Sequence, residues 1–248
     1  MNGINHDPQR FGALGYCLFP GVFDAAETEA NRQLLEEAAS AGEIQEDRYL
    51  GEPHAKHDAW RAVCCHPPLL DAIESVLGPD LILVYSSVFI KQAHSPAVVL
   101  WHQDNTYWPS VHGTDVLTVW LAIDDATAAN SAMKVIPGSH AGYREMEQAQ
   151  ADNEDAMLSR HVEVTAEMEA SAVTLEMSAG SMSIHDSYLL HGSDANRTDL
   201  RRAGYTIRYC DPKTAWVDMD EHPIPVYLMR GEAGDRGERY TDARPRHE

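Results

Sequence analysis

Two short stretches of this chain carry residue types that could grip a metal ion. In Trp101-His102-Gln103-Asp104-Asn105-Thr106-Tyr107-Trp108, a histidine and an aspartate stand two residues apart. Such residues in an extended strand point to the same face, so an imidazole and a carboxylate can converge on one point. One neutral nitrogen and one carboxylate oxygen are two-thirds of the facial set, two histidines and a carboxylate, that holds non-haem Fe(II). The third donor must come from a distant part of the chain. The best candidate is His191, in Leu189-Leu190-His191-Gly192-Ser193. An H-x-D pair alone is a weak signal, because short polar pairs recur by chance, and a structural hydrogen-bonded pair is its bland rival.

Composition narrows the chemistry. A chain of 248 residues with 44% apolar residues, 16 Gly and 13 Pro fits a globular protein with one large core and many turns. The formal net charge of -20 argues against nucleic acid and against anionic membrane surfaces, both of which call for a basic footprint. No apolar run reaches the roughly 18 residues of a membrane span. Met1 to Phe11 is polar and lacks the pattern of a secretory leader, which gives the expectation of a cytoplasmic protein. Four cysteines, two of them adjacent at Cys64 and Cys65, read as reduced thiols rather than a disulfide framework. P-loop, G-x-G-x-x-G, C-x-x-C and H-E-x-x-H motifs are all missing, so nucleotide and zinc readings lack their usual anchors.

The elements that must position these residues follow a simple order. Tyr16 to Phe19 reads as a strand, and Asp24-Ala25-Ala26-Glu27 as a capping box opening a helix with Ala30, Leu34, Leu35 and Ala38 on one face. A second helix starts at Pro67-Pro68 and closes at Gly78-Pro79. Strands then dominate, at Leu81 to Lys91, Ala97 to Trp101, Val116 to Ile123, Ala132 to Ile136, Ala172 to Glu176, Ser181 to His185, Tyr188 to His191 and Ala203 to Cys210. Glu43 to His57 looks like a loop near a pocket mouth, and residues 141–170 like a helix or a long excursion, with the makings of a lid. Gly231 to Glu248 is charged and reads as frayed. Short, closely spaced strands predict a mainly β fold with flanking helices, a jelly roll. One domain is expected over 1–248, with a helical buttress at about 20–80 and the jelly-roll core at about 81–230.

The H-x-D pair, the strand ending Trp120-Leu121-Ala122-Ile123-Asp124-Asp125, the segment Val135-Ile136-Pro137-Gly138-Ser139-His140, and His191-Gly192-Ser193 followed by Asn196, Arg197 and Arg202 together resemble the phytanoyl-CoA dioxygenase family. That family comprises Fe(II)- and 2-oxoglutarate-dependent oxygenases built on a double-stranded β-helix of cupin-like form. The resemblance runs from about Phe11 to Gly231. It implies His102, Asp104 and His191 as iron ligands and Arg202, eleven residues beyond His191, as the partner of the far carboxylate of 2-oxoglutarate. A guanidinium fork suits that bidentate task better than an ammonium. Ser193 and Trp120 match positions lining the same pocket; Thr118, on the strand face of Trp120, and Lys91 are further candidates to contact the co-substrate. Two departures concern turns: Asn130-Ser131 stands where the family often has Asn-Gly, and Asp194 replaces a frequent glycine. Relatives that halogenate lack the carboxylate at the position of Asp104, so its presence implies oxygenation.

Several residues compete. His185 rivals His191 as the distal ligand but lacks a following Gly-Ser and a suitably placed arginine, and reads as a pocket neighbour. Arg208 shares a strand face with Arg202, and a surface or structural ion pair is its expected role; Arg201 should point the other way. Tyr107, Trp108, His112 and Trp216 are the candidate substrate contacts, drawn from the segments Glu43–His57, Asn105–His112, Ala141–Arg160 and Thr214–Tyr227. None of these segments clusters the Lys and Arg that a CoA pyrophosphate would need, so the expected substrate is a free, small, polar metabolite, hydroxylated at an sp3 carbon with O2 as oxidant and succinate and CO2 as by-products. The alternatives are an acyl-CoA hydroxylase, a metal hydrolase on the same ligands, and a non-catalytic jelly roll that binds a metal or ligand. No nucleic acid or membrane partner is expected, and a homo-oligomer is compatible with the sequence.

Overall fold

The computed structural model describes residues 5–46 and 48–244. Parts of two expectations, the polar N-terminus and the frayed tail, lie outside the described residues. Eight strands form a large sheet in the order Tyr16–Phe19, Met182–Asp186, Val116–Ala122, Arg202–Cys210, Leu81–Lys91, Tyr227–Arg230 and Thr241–Asp242, with Tyr49–Gly51 also paired to Leu81–Lys91. A smaller sheet of four strands runs Val173–Thr174, Lys134–Val135, His191–Ser193, Val99–His102. These two sheets form the jelly roll predicted from the strand spacing, the double-stranded β-helix implied by the resemblance, and the residues of interest lie between them.

Alternation along the strands decides which side chains reach that space. In Val116–Ala122, Leu117, Val119 and Leu121 join the core under the helices, whereas Thr118 and Trp120 line the cavity between the sheets. Arg202–Cys210 behaves alike: Ala203, Tyr205, Ile207 and Tyr209 are in the helix-side core, and Arg202, Thr206 and Arg208 line the cavity. The third long strand, Leu81–Lys91, changes phase part-way. Arg208 pairs with Tyr85 but Tyr209 pairs with Leu83, which leaves Val84 as a bulge. Leu81 and Leu83 therefore face the helices before it, and Val88 and Ile90 after it, while Tyr85, Ser87 and Phe89 turn into the cavity.

The helices Ala25–Ser40, Asp58–Cys64 and Pro67–Leu77 buttress the outer face of the large sheet. The first is opened by the capping box read from the sequence: Asp24 Oδ1 accepts from the Glu27 amide at 2.8 Å, and Glu27 Oε2 from the Asp24 amide at 2.8 Å. Leu35, Trp60, Leu69 and Ile73 go into the shared core, each side chain contributing about 1.5–3 kcal/mol by leaving water.

Three expectations change. Glu43–His57 is not all loop, because Tyr49–Gly51 adds to the large sheet and Pro53–Lys56 is a helical turn; its polar composition hid a three-residue edge strand. Residues 141–170 carry a two-stranded ribbon, Ala149–Gln150 with Arg160–His161, and a short helix, Ala166–Ala170. Backbone hydrogen bonds from Met157 and Val162 to Val98 and Trp101 fasten this excursion to the small sheet. The described part of the tail is paired, since Thr241 and Asp242 run parallel to Tyr227 and Leu228.

Gly204 sits where the large sheet meets the Trp120 ring. A Cβ there would stand 2.1 Å from Trp120 Cζ2 and 2.3 Å from Cε2. Gly204→Ala should therefore lower the denaturant midpoint by an amount equivalent to about 1–3 kcal/mol, the usual cost of overpacking a rigid core. An unchanged midpoint would mean that the indole moves freely.

Candidate metal centre

His102 and His191 lie opposite each other on paired strands of the small sheet, with ring centroids 4.0 Å apart. Each donates Nδ1–H to the carbonyl two residues back, His102 to Leu100 and His191 to Leu189, both at 2.9 Å. These bonds fix both tautomers and leave both Nε2 lone pairs free for a cation. Asp104 is not on the strand itself but opens the 3-10 turn Asp104–Tyr107. The intervening Gln103 is extended, at φ -114 and ψ 132, so the two-residue spacing still brings His102 and Asp104 together. Gln103 is itself clamped: its amide donates to Arg144 and Tyr188 carbonyls at 3.1 and 2.8 Å, and its oxygen accepts from the Met146 amide at 2.8 Å.

Asp104 Oδ1 lies 3.7 Å from Nε2 of both histidines, too long for a hydrogen bond and suitable for a shared cation. One donor atom from each of the three residues lies within 4.8 Å of the others, and all three residues are buried. Two neutral nitrogens and one carboxylate oxygen, open on one side to a cavity, fit a non-haem Fe(II) ion. Burial pushes the Asp104 carboxyl up, but His191, His102 and His185 outweigh it and hold the group well below the usual carboxylate range. Burial, reinforced by His102 and His185, holds His191 well below the ordinary imidazole value. Asp104 and His191 are therefore biased toward the protonation states that metal binding needs.

Thr118 does something other than what its position suggested. Its hydroxyl donates to Asp104 Oδ2 at 2.6 Å, fixing the carboxylate, so that proton is not offered to a co-substrate. His185 is a buried neighbour: Nε2 lies 3.4 Å from Asp104 Oδ2 but is misaligned, and neither ring nitrogen makes a hydrogen bond.

Arg202 is 2% exposed, and among the described residues no carboxylate lies within 4.0 Å of it. Nε and Nη2 donate to the Ser131 carbonyl at 3.0 and 2.7 Å, and Nη2 also reaches Ser193 Oγ at 3.1 Å. The guanidinium lies 5.4 Å from the Trp120 ring centroid, and Nη1 has no acceptor among the described residues. Burial lowers its pKa to about 10, which keeps it cationic at neutral pH. Ser131, at the position where the family often has glycine, adopts φ 80. That left-handed backbone costs a non-glycine residue of order 1 kcal/mol or more. Its Oγ compensates by accepting from Arg202 Nη2 at 3.2 Å and Lys91 Nζ at 2.9 Å.

Lys91 does not reach the cavity. Its Nζ donates to Ser131 Oγ, to the oxygens of Ser193 and to the Asp194 carbonyl. Burial and the Arg202 charge lower its pKa to about 6, and its contacts to Ser131 and Ser193 brace the Arg202 cradle. His112 and Trp216 also stand outside the cavity: they stack on each other at 4.2 Å across the ribbon Val111–Gly113 and Ala215–Val217. Their proximity to a substrate was inferred from loop position, and cross-strand pairing takes them elsewhere. No residue of Thr214–Tyr227 lines this cavity, whereas Tyr107 and Trp108 do.

The cavity between the sheets measures about 380 Å³. Besides the residues above, its wall includes Tyr49, Glu52, Tyr85, Met133, Met157 and Leu158. Arg208 lines it as well and is neither a surface residue nor paired within 4.0 Å to a carboxylate among the described residues, contrary to its expected ion pair. Arg201, as expected, faces away and binds Asp124 at 2.8 Å. Sequence reasoning passed over Glu52, Gln103 and Ser131; for Ser131 the departure from Asn-Gly was the available signal.

The Thr118 hydroxyl predicts a measurable effect that needs no turnover. Thr118→Val keeps the shape and removes the bond to Asp104. Affinity for Fe(II) or Co(II), read by competition with a chromophoric chelator, should fall about 10–100-fold, the usual result of losing a group that orients a ligand. Wild-type affinity in this variant would show that the carboxylate is held by the imidazoles alone.

Residues 11–204 match the family described as phytanoyl-CoA dioxygenase (PhyH). Among curated relatives, a probable alpha-ketoglutarate-dependent hypophosphite dioxygenase of Stutzerimonas stutzeri is 29% identical over 166 residues, 65% of this chain and 56% of that protein. L-proline trans-4-hydroxylase of Streptomyces griseoviridis is 30% identical over 151 residues, 55% of each chain. The matches thus span little more than half the length of these relatives. Among solved structures, the apo form of the non-heme monooxygenase ThoJ superposes with a TM-score of 0.78 at 27% identity, covering 96% of this chain and 88% of that one. With the family match extending over most of its length and the fold agreeing, this chain belongs to the phytanoyl-CoA dioxygenase family.

Proposed function

We propose that this chain is an Fe(II)- and 2-oxoglutarate-dependent oxygenase that hydroxylates an sp3 carbon of a free, small, polar metabolite, and that residues 1–248 act as one catalytic domain. The observation that carries the reading is the pairing, in one cavity, of a buried N,N,O donor set with a buried arginine that lacks a carboxylate. His102, Asp104 and His191 are the proposed metal ligands, and Arg202, set between Ser131, Ser193 and Trp120, the proposed anchor for the far carboxylate of 2-oxoglutarate. When bound, this metal and co-substrate supply oxidising power by coupling co-substrate decarboxylation to attack on a substrate C–H.

The chain's own contribution is placement and exclusion of water. Nδ1 bonds to Leu100 and Leu189 hold both imidazoles in the ligating tautomer. The Arg202 cradle is complete without the ligand, so little reorganisation is required when a carboxylate arrives. Tyr107, Trp108, Met133, Met157 and Leu158 supply apolar wall on which a substrate can rest. A cavity of about 380 Å³ suits a small metabolite alongside the co-substrate, at the low end of ligand-site volumes. The names of two relatives, a hypophosphite dioxygenase and a proline hydroxylase, support small polar substrates over acyl-CoA. A hydrolase would leave Arg202 without a role, and so would a sensor that needs no co-substrate.

The protein should bind one Fe(II) per chain, and His191→Ala and Asp104→Ala should each abolish metal-dependent release of succinate from 2-oxoglutarate. Full turnover in His191→Ala would transfer the role to His185. Arg202→Ala should raise the 2-oxoglutarate requirement by the equivalent of about 2–5 kcal/mol, the usual cost of leaving a buried ionic partner alone. A wild-type titration of 2-oxoglutarate in that variant would remove Arg202 from the assignment.

A further inference from the structure

Arg208 is 6% exposed and is the worst-satisfied cation in the cavity wall. Nη1 makes two contacts at 3.4 Å, to Ser87 Oγ and the Thr206 carbonyl, at the outer limit of hydrogen bonding. Nε is buried with no partner among the described residues, and the guanidinium lies 5.4 Å from the Trp108 ring centroid. A buried cation left in this state is poorly solvated, which favours an arriving anion. Asp104 makes no direct ion pair with it within 4.0 Å and is already bound by Thr118, although the Arg208 charge helps to hold that carboxylate ionised.

Glu52 is the complementary case. It lines the same cavity, and its backbone is left-handed at φ 54, a conformation that a glutamate adopts at a cost. Oε2 accepts the Ser86 amide at 3.1 Å, and Oε1 accepts nothing among the described residues. Burial, only partly offset by Ser86, Arg208 and Lys56, raises its pKa to about 7, as for a carboxylate without an adequate cation. The two groups do not meet: no N···O distance between them is within 4.0 Å. They stand on either side of one strand. Gly51, next to Glu52, pairs with Ser87 from one side, and Arg208 pairs with Tyr85 from the other. Two strand spacings, roughly 9–10 Å, separate their backbones, and both side chains line the cavity.

Arg208 and Arg202 also occupy different parts of the cavity. Six residues apart on one extended strand, their backbones are separated by roughly 20 Å. Arg208 is in register with Thr118, which holds Asp104, while Arg202 is in register with Lys91. The metal-side end of the cavity therefore has its own cation, distinct from the one that serves the co-substrate.

We infer that the substrate is a zwitterion of the α-amino-acid or betaine class, its carboxylate held by Arg208 and its cationic nitrogen by Glu52. This rests on the oxygenase reading above and narrows it. A carboxylate seated at Arg208 lies beside the Asp104 row, so the carbon that is oxidised belongs to a compact molecule, within a few bonds of that carboxylate.

The test uses the Fe(II)-loaded chain and measures succinate release with and without probes: the proteinogenic α-amino acids, glycine betaine, the matching amino-acid amides, and the matching decarboxylated amines. At least one amino acid or betaine should stimulate release well above the substrate-free rate, and its amide and amine should not. Arg208→Met should raise the requirement for that probe by roughly 30-fold or more, a larger factor than any change it makes in the 2-oxoglutarate requirement. Glu52→Gln should weaken the same probe in calorimetric titration of the Co(II)-loaded protein, a readout independent of turnover. The inference is overturned if amides or amines serve as well as acids, if no zwitterion stimulates an enzyme that does consume 2-oxoglutarate, or if Arg208→Met raises the 2-oxoglutarate requirement instead. Absence of 2-oxoglutarate consumption under every condition would strike the oxygenase reading itself.

Discussion

A carboxylate buried among three imidazoles is the constraint on which this structure turns. Asp104 is 6% exposed, and a lone anion at that depth would not stay ionised. It does so because Thr118 donates to Oδ2, where the His185 ring also lies, and the rings of His102 and His191 flank Oδ1. Each of those neighbours belongs to a different strand, and two sheets must close on each other to assemble them. Backbone carbonyls at Leu100 and Leu189 then set the proton positions that make the cluster a set of donors rather than a salt-bridged knot.

Charge is distributed in opposite senses outside and inside. The chain carries a formal net charge of -20, yet the cavity wall holds Arg202 and Arg208, neither paired with a carboxylate among the described residues. Lys91 braces one of them through Ser131 and Ser193. An acidic exterior says nothing about which ions the interior accepts; burial and hydrogen-bond geometry decide that locally. Both arginines lie over indole rings, Trp120 and Trp108, which tolerate a guanidinium face without neutralising it.

The sequence showed the elements whose signals are local. The capping box at Asp24 and Glu27, the proline start of the helix at Pro67, and the long strands at Leu81 and Val116 all depend on residues within a few positions of one another. The motif order around His102, Asp104 and His191 placed the three together because a resemblance carried the long-range information. What stayed hidden needed pairing partners. His112 and Trp216 face each other because two distant ribbon strands align, and Glu52 reaches the cavity because a three-residue edge strand turns just before it. Arg208 shared the periodicity of Arg202, but its lack of a counter-ion is a property of the assembled sheets.

The bulge at Val84 gives the strand Leu81–Lys91 something like a reading frame. One extra residue makes everything downstream address the opposite side, so Tyr85, Ser87 and Phe89 open onto the cavity while Val88 and Ile90 keep to the core. Substitutions along this strand alter single contacts, whereas gain or loss of one residue would exchange the two faces wholesale and send the tyrosine and phenylalanine under the helices. Length, more than composition, is therefore what this segment must preserve as the family diverges, and chimaeras between relatives would have to keep their junctions outside it.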